Sequence, residues 1–179
     1  MEVLTGQGFS ATGIETILQR VDVPKGSFYH YFDSKEAFGL AVLQCYADYF
    51  ARKLDRWLLD ERELPLQRLI NFVEDAKAGM IKYHFERGCL VGNLGQEVLV
   101  VPESFRIRLE DVLLDWQLRL AACLRLAVNA GQLPPETDCD VASAFFWIGW
   151  EGAIMRARLA RNVEPLEVFI NSFLAHART

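Results

Sequence analysis

A short stretch of hydrogen-bonding side chains near the N-terminus has the composition of a nucleic-acid contact. It runs from Lys25 to Tyr31 and combines a lysine, a serine, a histidine and two tyrosines around Gly26. A lysine can neutralise phosphate, hydroxyl and imidazole groups can reach base edges, and a glycine lets the backbone approach closely. The alternative is a set of surface aromatics, but three adjacent rings on a short polar helix have no evident structural purpose. The stretch therefore predicts a DNA-contacting surface.

Two short helices must position this stretch. Apolar spacing predicts one helix that ends near Arg20, and Pro24 opens a second helix where a missing N–H costs nothing. Two short helices joined by a three- or four-residue turn form a helix-turn-helix, whose second helix enters the major groove. Phe28 and Phe32 lie four residues apart, so both rings can anchor the second helix to the core.

The rest of the chain repeats the helical period almost throughout. The most strand-like run is Val98–Val101, and Pro102 ends it. We expect an all-α protein with a three-helix DNA-binding domain over residues 1–33. A helical effector-binding and dimerisation domain of roughly six helices follows over residues 34–179. The first helix is expected to be truncated, because residues 1–4 read as a helix tail and residues 5–8 as its end.

Composition narrows the remaining classes of protein. The chain has 179 residues, is 51% hydrophobic and carries a net charge of −5, which disfavours a protein that coats nucleic acid non-specifically. Its four cysteines form no CxxC pair, so a zinc site is not expected. No signal peptide is visible, and no apolar run reaches the ~20 residues that span a bilayer, so neither secretion nor a membrane span is expected. We predict a cytoplasmic protein without membrane contact, metal or cofactor.

The string from Val23 to Phe38, VPKGSFYHYFDSKEAF, closely resembles the signature of the TetR family. The resemblance implies an all-helical homodimer whose N-terminal domains read a palindromic operator and whose larger domains bind an inducer. It also implies that Thr12 and Lys35 contact phosphate, and that Tyr31 touches the DNA backbone. The full set of expected DNA contacts is Thr12, Lys25, Gly26, Ser27, Tyr29, His30, Tyr31 and Lys35.

Two further segments are similar to one branch of this family. They are RGCLVGNLGQE at 87–97 and FWIGWEGA at 146–153. They look like the acrylate-utilisation regulators (AcuR type), and the N-ethylmaleimide-reductase regulators (NemR type) are similar but more distant. The implied inducers are small unsaturated acids or reactive electrophiles.

Cys89 follows a glycine at an expected loop-to-helix junction. In the first turn of a helix, backbone N–H groups and nearby Arg87 would favour its thiolate, a nucleophile for electrophiles. A buried, inert cysteine is the alternative. Relatives that sense electrophiles often carry a lysine where Arg158 stands here, and an arginine cannot supply the same nitrogen–sulfur chemistry.

Aromatic and polar residues of the larger domain are candidates for an effector pocket. Tryptophans can form its walls, an arginine can pair with a carboxylate, and a buried Glu151 would need a partner. The alternative for each tryptophan is ordinary core. The expected ligand contacts are Cys89, Asn93, Gln96, Trp116, Trp147, Trp150, Glu151 and Arg158.

The sequence therefore predicts a repressor that a small molecule releases from double-stranded operator DNA. The last two helices, rich in small and apolar residues from Val141 to Phe173, are expected to form the homodimer. A small-molecule binding module that has lost its DNA activity is the alternative. A thiol enzyme centred on Cys89 and His84 lacks an evident oxyanion hole or orienting acid, so no enzyme is predicted.

Overall fold

A computed structural model describes residues 2–178, with every side chain in that range except those of Glu2 and Gln7. Residues 2–178 contain helices and no strands, which confirms the all-α prediction. The helices are α1 Glu2–Gln7, α2 Ile14–Arg20, α3 Lys25–Tyr31, α4 Lys35–Leu58, α5 Pro65–Lys82, α6 Leu90–Gln96, α7 Glu103–Asn129, α8 Cys139–Ala160 and α9 Glu164–Ala177.

The structure resolves two segments that the sequence left approximate. The first helix, whose end was expected within residues 5–8, continues through Gln7, and Gly8 ends it with a φ of +83°; Met1, assigned to the same helix, lies outside the described residues. The run at 98–101 is a turn, in which the N–H groups of Val100 and Val101 donate to the Glu97 carbonyl. Leu99 is 95% exposed in this turn, so its side chain packs against no other segment.

Side-chain caps and prolines fix several helix starts. The Asp138 carboxylate accepts the N–H groups of Asp140 and Val141 at the start of α8. At the start of α4, the Ser34 hydroxyl accepts the N–H of Ala37 at 3.0 Å. The Glu36 carboxylate in the same turn accepts the Ser104 hydroxyl at 2.6 Å.

The chain folds into two compact units. The first consists of the residues up to Tyr49 together with Cys89–Val112, and the second of Phe50–Gly88 together with the residues from Leu113 onward. The first unit is larger than the expected domain over residues 1–33, because three short helices cannot bury a core without parts of α4, α6 and α7.

Aromatic rings close the core of the first unit. Phe9 and Phe105 are buried with ring centroids 4.9 Å apart. Gly39 faces both, and a Cβ at this glycine would lie within 2.7 Å of either ring. The close approach of α4 to these rings therefore requires a residue without a side chain.

The second unit is held by contacts between its long helices. The buried Ser143 hydroxyl of α8 donates to the Gln117 carbonyl of α7 at 2.7 Å. At Gly149 of α8, a Cβ would lie 2.3 Å from the Phe169 ring of α9. The buried Arg68 donates to the carbonyls of Glu63 and Leu58, which satisfies the end of α4.

Candidate DNA-binding surface and effector site

A single buried ring anchors α3. Phe28 is 5% exposed, and its ring centroid lies 5.5 Å from those of Phe32 and Phe38. The turn before α3 is closed by the Val23 N–H, which donates to the Leu18 carbonyl at 3.1 Å. The anchoring role expected for Phe28 and Phe32 is thus confirmed, and the opposite face of α3 is left to solvent.

The polar residues of α3 occupy that solvent-facing side. Tyr29 is 53% exposed and Tyr31 is 76% exposed. A Cβ added at Gly26 would meet no atom within 4 Å, so the backbone of α3 is open to an approaching surface. The exposed residues of α3 are Lys25, Gly26, Ser27, Tyr29, His30 and Tyr31.

Lys25 is paired with an acid of the preceding helix. Its Nζ lies 2.7 Å from Oε1 of Glu15, and both side chains are largely exposed. Hydrogen bonding to Glu15 raises the pKa of Lys25, and the same bond lowers the pKa of Glu15. Both groups are charged at neutral pH, and a DNA phosphate would compete with Glu15 for the ammonium.

Thr12 and Lys35 hold the loop between α1 and α2. The Thr12 hydroxyl donates to the Gly8 carbonyl at 2.5 Å, and this residue is 1% exposed. Lys35 donates to the Phe9 carbonyl at 2.9 Å and lies 4.5 Å from the centre of the Phe9 ring. The Thr12 side chain has no free surface for phosphate in this conformation, and the Lys35 contact stays a prediction.

Glu97 is an important residue that the sequence did not indicate. Its carboxylate accepts the N–H of Phe9 at 3.0 Å and that of Ser10 at 2.7 Å. A Cβ at Gly8 would lie 2.4 Å from this carboxylate. One helical turn earlier, Asn93 donates to the Thr5 carbonyl at 2.9 Å. Asn93, expected in the ligand pocket, therefore joins Glu97 in tying α6 to the end of α1.

Cys89 is the N-cap of α6 and not part of its first turn. It is half-buried, and the Tyr46 hydroxyl lies 3.7 Å from its sulfur. Cys123 differs: it is buried, and burial raises the pKa of its thiol to about 11. Burial also raises the pKa of the Cys139 thiol. Cys123 and Cys139 are therefore held as thiols, the poorly reactive form.

Arg158 lies against the loop that leads to Cys89 in the chain. Its guanidinium donates to the Glu86 carbonyl at 3.3 Å, and a Cβ at Gly88 would lie 3.0 Å from the Arg158 side chain. The same loop begins with His84 and Phe85 at φ values of +51° and +60°, a left-handed backbone that non-glycine residues seldom adopt.

The expected ligand residues divide between the two units. Cys89, Asn93 and Gln96 belong to the first, and the tryptophans, Glu151 and Arg158 to the second. Within the second unit Arg158 follows Trp147 by eleven residues on α8, which separates them by about 16 Å along the axis. The ligand contacts expected for Trp147 and Arg158 stay predictions.

The tryptophans instead lie in an aromatic cluster of the second unit. The rings of Phe50 and Trp116 are 4.3 Å apart, and those of Trp116 and Trp147 are 5.1 Å apart. The aromatic cluster consists of Phe50, Phe72, Trp116, Phe146, Trp147 and Trp150.

Three buried indole nitrogens find no acceptor among the described residues. They are the Nε1 atoms of Trp57, Trp116 and Trp147. Trp116 is 0% exposed and Trp147 is 2% exposed. A buried donor without an acceptor costs about 1–3 kcal/mol, so a core made only for stability would favour phenylalanine here.

Two absences can be stated for the described part of the chain. No cluster of three or more histidines, cysteines, aspartates or glutamates is placed there to hold a metal ion. Nor does any helix within residues 2–178 have the length and apolarity needed to cross a membrane.

A short exposed helix with polar tips, anchored by one ring behind a tight turn, defines a helix-turn-helix DNA-binding protein. Residues 1–42 match the family profile described as "Bacterial regulatory proteins, tetR family". Residues 65–173 match the profile "Tetracyclin repressor-like, C-terminal domain". The chain belongs to the TetR family of transcriptional regulators, which confirms the resemblance drawn from its sequence.

Individual relatives agree with this assignment. The chain is 48% identical to the Transcriptional regulator AcuR of Cereibacter sphaeroides over 98% of this chain and 80% of that protein. It is 29% identical to the HTH-type transcriptional repressor NemR of Escherichia coli, over 96% and 84% respectively. A crystal structure of the regulatory protein TetR from Rhodobacter sphaeroides matches with a TM-score of 0.96 and 48% identity, over 98% of this chain and 93% of that one.

Proposed function

We propose that this protein is a transcriptional repressor that binds a palindromic operator through α3 and leaves it when a small molecule binds. The main support for this proposal is the exposed polar face of α3 around Gly26, with Phe28 buried behind it. Base contacts come from the side chains of this face, and Lys25 exchanges its bond to Glu15 for a phosphate.

Replacing Gly26 tests the DNA-binding role without harming the fold. In Gly26→Ala the new methyl meets no protein atom, and alanine favours a helix over glycine by about 1 kcal/mol. We expect unchanged or higher thermal stability but operator affinity reduced at least about tenfold, because the methyl meets DNA. Fluorescence anisotropy with the operator from the upstream region measures the affinity.

Gly79→Ala is the matched control, since its methyl also meets nothing within 4 Å and α5 is a different helix from the reading helix. Equal affinity losses in Gly26→Ala and Gly79→Ala would contradict α3 as the reading helix. A full chain that shows no salt-sensitive, sequence-dependent binding would favour the alternative, a small-molecule binding module with lost DNA activity.

A homodimer through α8 and α9 matches the two-fold symmetry of such an operator. Exposed apolar side chains follow one face of α8 at helical spacing, and Val168 of α9 is 59% exposed. The residues on that face of α8 are Val141, Phe145, Ile148, Met155 and Leu159. Phe173 and Ala153, also expected at the interface, are buried within the subunit.

The substitution Ile148→Asp tests this interface. Ile148 is 75% exposed, so an aspartate there disturbs little in the subunit but places a charge in the proposed contact. We expect sedimentation to detect monomers at concentrations where the wild type is dimeric. Leu99→Asp, at a residue that is 95% exposed in the first unit, is the control that stays dimeric.

The inducer is proposed to be a small unsaturated acid or electrophile, on the basis of the 48% identity to AcuR and the similarity to NemR. Operator release by acrylate and by N-ethylmaleimide, in wild type and Cys89→Ser, separates two mechanisms. Release by N-ethylmaleimide that is lost in Cys89→Ser assigns a sensing role to the thiol. If acrylate and N-ethylmaleimide release wild type and Cys89→Ser equally, Cys89 has a structural role.

The proposal also includes a location and the absence of catalysis. The protein acts in the cytoplasm, where its cysteines stay reduced, and it performs no catalysis. Incubation with excess acrylate or N-ethylmaleimide should therefore give at most stoichiometric binding or modification, without turnover.

A further inference from the structure

The aromatic cluster contains two hydrogen-bond donors that the protein itself does not use. The Nε1 atoms of Trp116 and Trp147 are buried and have no acceptor among the described residues. Their rings come from different helices, α7 and α8, yet their centroids lie only 5.1 Å apart. A carbonyl group of a small molecule supplies the kind of acceptor that these donors on two neighbouring rings lack.

The arrangement of the two rings is fixed before any ligand binds. Ser143, one helical turn before Trp147, donates to the carbonyl of Gln117, the residue after Trp116. This buried bond sets the register of α7 against α8 at the level of the two indoles. A pair of donors held in place loses little conformational entropy when an acceptor arrives.

The cluster supplies no charge for an anionic ligand. All six members are uncharged, and two cations on the helices that carry Phe50 and Trp116 are already paired. Lys53 bonds to Asp75 at 2.6 Å, and Arg119 bonds to Asp55 and Asp115. An unpaired carboxylate is far harder to bury than a neutral carbonyl.

We infer that the indole N–H groups of Trp116 and Trp147 bind the carbonyl oxygen of an uncharged, flat effector whose carbon chain packs among the surrounding rings. This inference rests on the proposed function. It narrows the proposed effectors from unsaturated acids and electrophiles to neutral carbonyl compounds. Aromatic faces provide the apolar contact for the planar chain, and the two donors fix its orientation.

The direct test follows the indole N–H groups by NMR. The four tryptophans give four indole cross-peaks, which single Trp→Phe variants assign. Added acrylamide, an uncharged amide with a vinyl group, should move the Trp116 and Trp147 signals downfield and leave Trp57 in place. Sodium acrylate, similar in size but charged, should move them less at equal concentration.

Operator release by acrylamide provides the functional measurement. Trp116→Phe and Trp147→Phe keep an aromatic ring and remove the donor, so half-release should need about tenfold more acrylamide. Both variants should unfold within about 3 °C of wild type, because no internal hydrogen bond is lost. Trp57→Phe is the matched control, since it also loses an unpaired indole N–H but has no ring contact to the cluster among the described residues.

The outcomes separate this inference from the proposed function. The donor pair is overturned if acrylamide leaves the Trp116 and Trp147 signals in place, or if both variants respond to acrylamide as wild type does. Operator binding by wild type would still support the repressor in either case. A stronger effect of acrylate than of acrylamide overturns the preference for a neutral carbonyl. Wild type that never binds operator contradicts the repressor, and the NMR shifts then still decide whether the donor pair binds a carbonyl.

Discussion

The reading helix α3 and the aromatic cluster place similar side chains in opposite environments. On α3, Tyr29 and Tyr31 point their hydroxyls to solvent and one ring, Phe28, is buried. In the cluster, Trp116 and Trp147 are almost wholly buried, together with donors that lack protein acceptors. The exposed tyrosines of α3 are therefore expected to affect DNA binding with little effect on stability, whereas substitutions in the cluster should affect stability as well.

The largest effect is expected for Phe146→Ala in the aromatic cluster. Phe146 is 0% exposed and its ring contacts those of Trp147, Trp150, Phe169 and Phe173. Its truncation should lower the free energy of unfolding by about 4 kcal/mol, measured by urea denaturation. Leu59→Ala, at a residue that is 60% exposed, should cost under about 0.5 kcal/mol. Similar losses in Phe146→Ala and Leu59→Ala would contradict the role of the buried aromatic cluster in stability.

Tyr29→Ala should show the opposite pattern. Operator binding should weaken by about 2 kcal/mol, and the free energy of unfolding should change by less than about 0.5 kcal/mol, because the ring is half exposed. Anisotropy titration and thermal unfolding give the two numbers. Leu99→Ala, also exposed in the first unit, should leave both unchanged. A stability loss without an affinity loss in Tyr29→Ala would assign Tyr29 to the core and not to DNA.

Glu97→Ala should loosen the loop that supports the reading unit. Two backbone N–H groups, of Phe9 and Ser10, lose their acceptor, so stability should fall by about 1–2 kcal/mol. Hydrogen exchange should speed up at the amides of Phe9 and Ser10 first. Glu61→Ala, at an exposed glutamate between α4 and α5, should leave these amides protected. Protection that survives in Glu97→Ala would mean that other groups hold the loop.

Lys25→Ala should have the smallest effect on stability. The ion pair with Glu15 is exposed on both sides, so its loss should leave the unfolding midpoint almost unchanged. The slope of log affinity against log salt should fall by about 0.9 if Lys25 meets one phosphate. Arg125→Ala removes a similarly exposed pair with Asp140 and should leave the slope unchanged. An unchanged slope in Lys25→Ala would remove Lys25 from the DNA contacts.

The spacing of residues close in sequence predicted much of the fold. The period of apolar residues indicated the helices, and Pro65, Asp138 and Pro165 lie at or beside the starts of α5, α8 and α9. Phe28 and Phe32 were recognisable as anchors because residues four apart share a helix face. Helix starts are harder to place exactly, since neighbouring polar residues can each cap: at α4 both Asp33 and Ser34 are candidates, and the Ser34 hydroxyl accepts the Ala37 N–H.

Contacts distant in sequence were not accessible in the same way. Asn93 bonds to the Thr5 carbonyl, 88 residues away, and its expected ligand contact stays a prediction. Glu97 ends the segment at 87–97 that resembles one branch of the family, but nothing in the sequence indicated that its carboxylate accepts the Phe9 and Ser10 N–H groups. Whether a polar side chain lines a pocket or supports a loop depends on which backbone groups lie opposite, and a single sequence does not encode that distance.

The sequence by itself determined the helical architecture, the helix-turn-helix and the residues presented by α3, because these follow from patterns a few residues long. Only the tertiary structure decided that Glu97 and Asn93 hold α6 to the end of α1, and that two indole donors lack acceptors among the described residues. The physical reason is that hydrogen bonding and burial depend on the packing of distant segments, whereas periodicity and capping depend on neighbours in the chain.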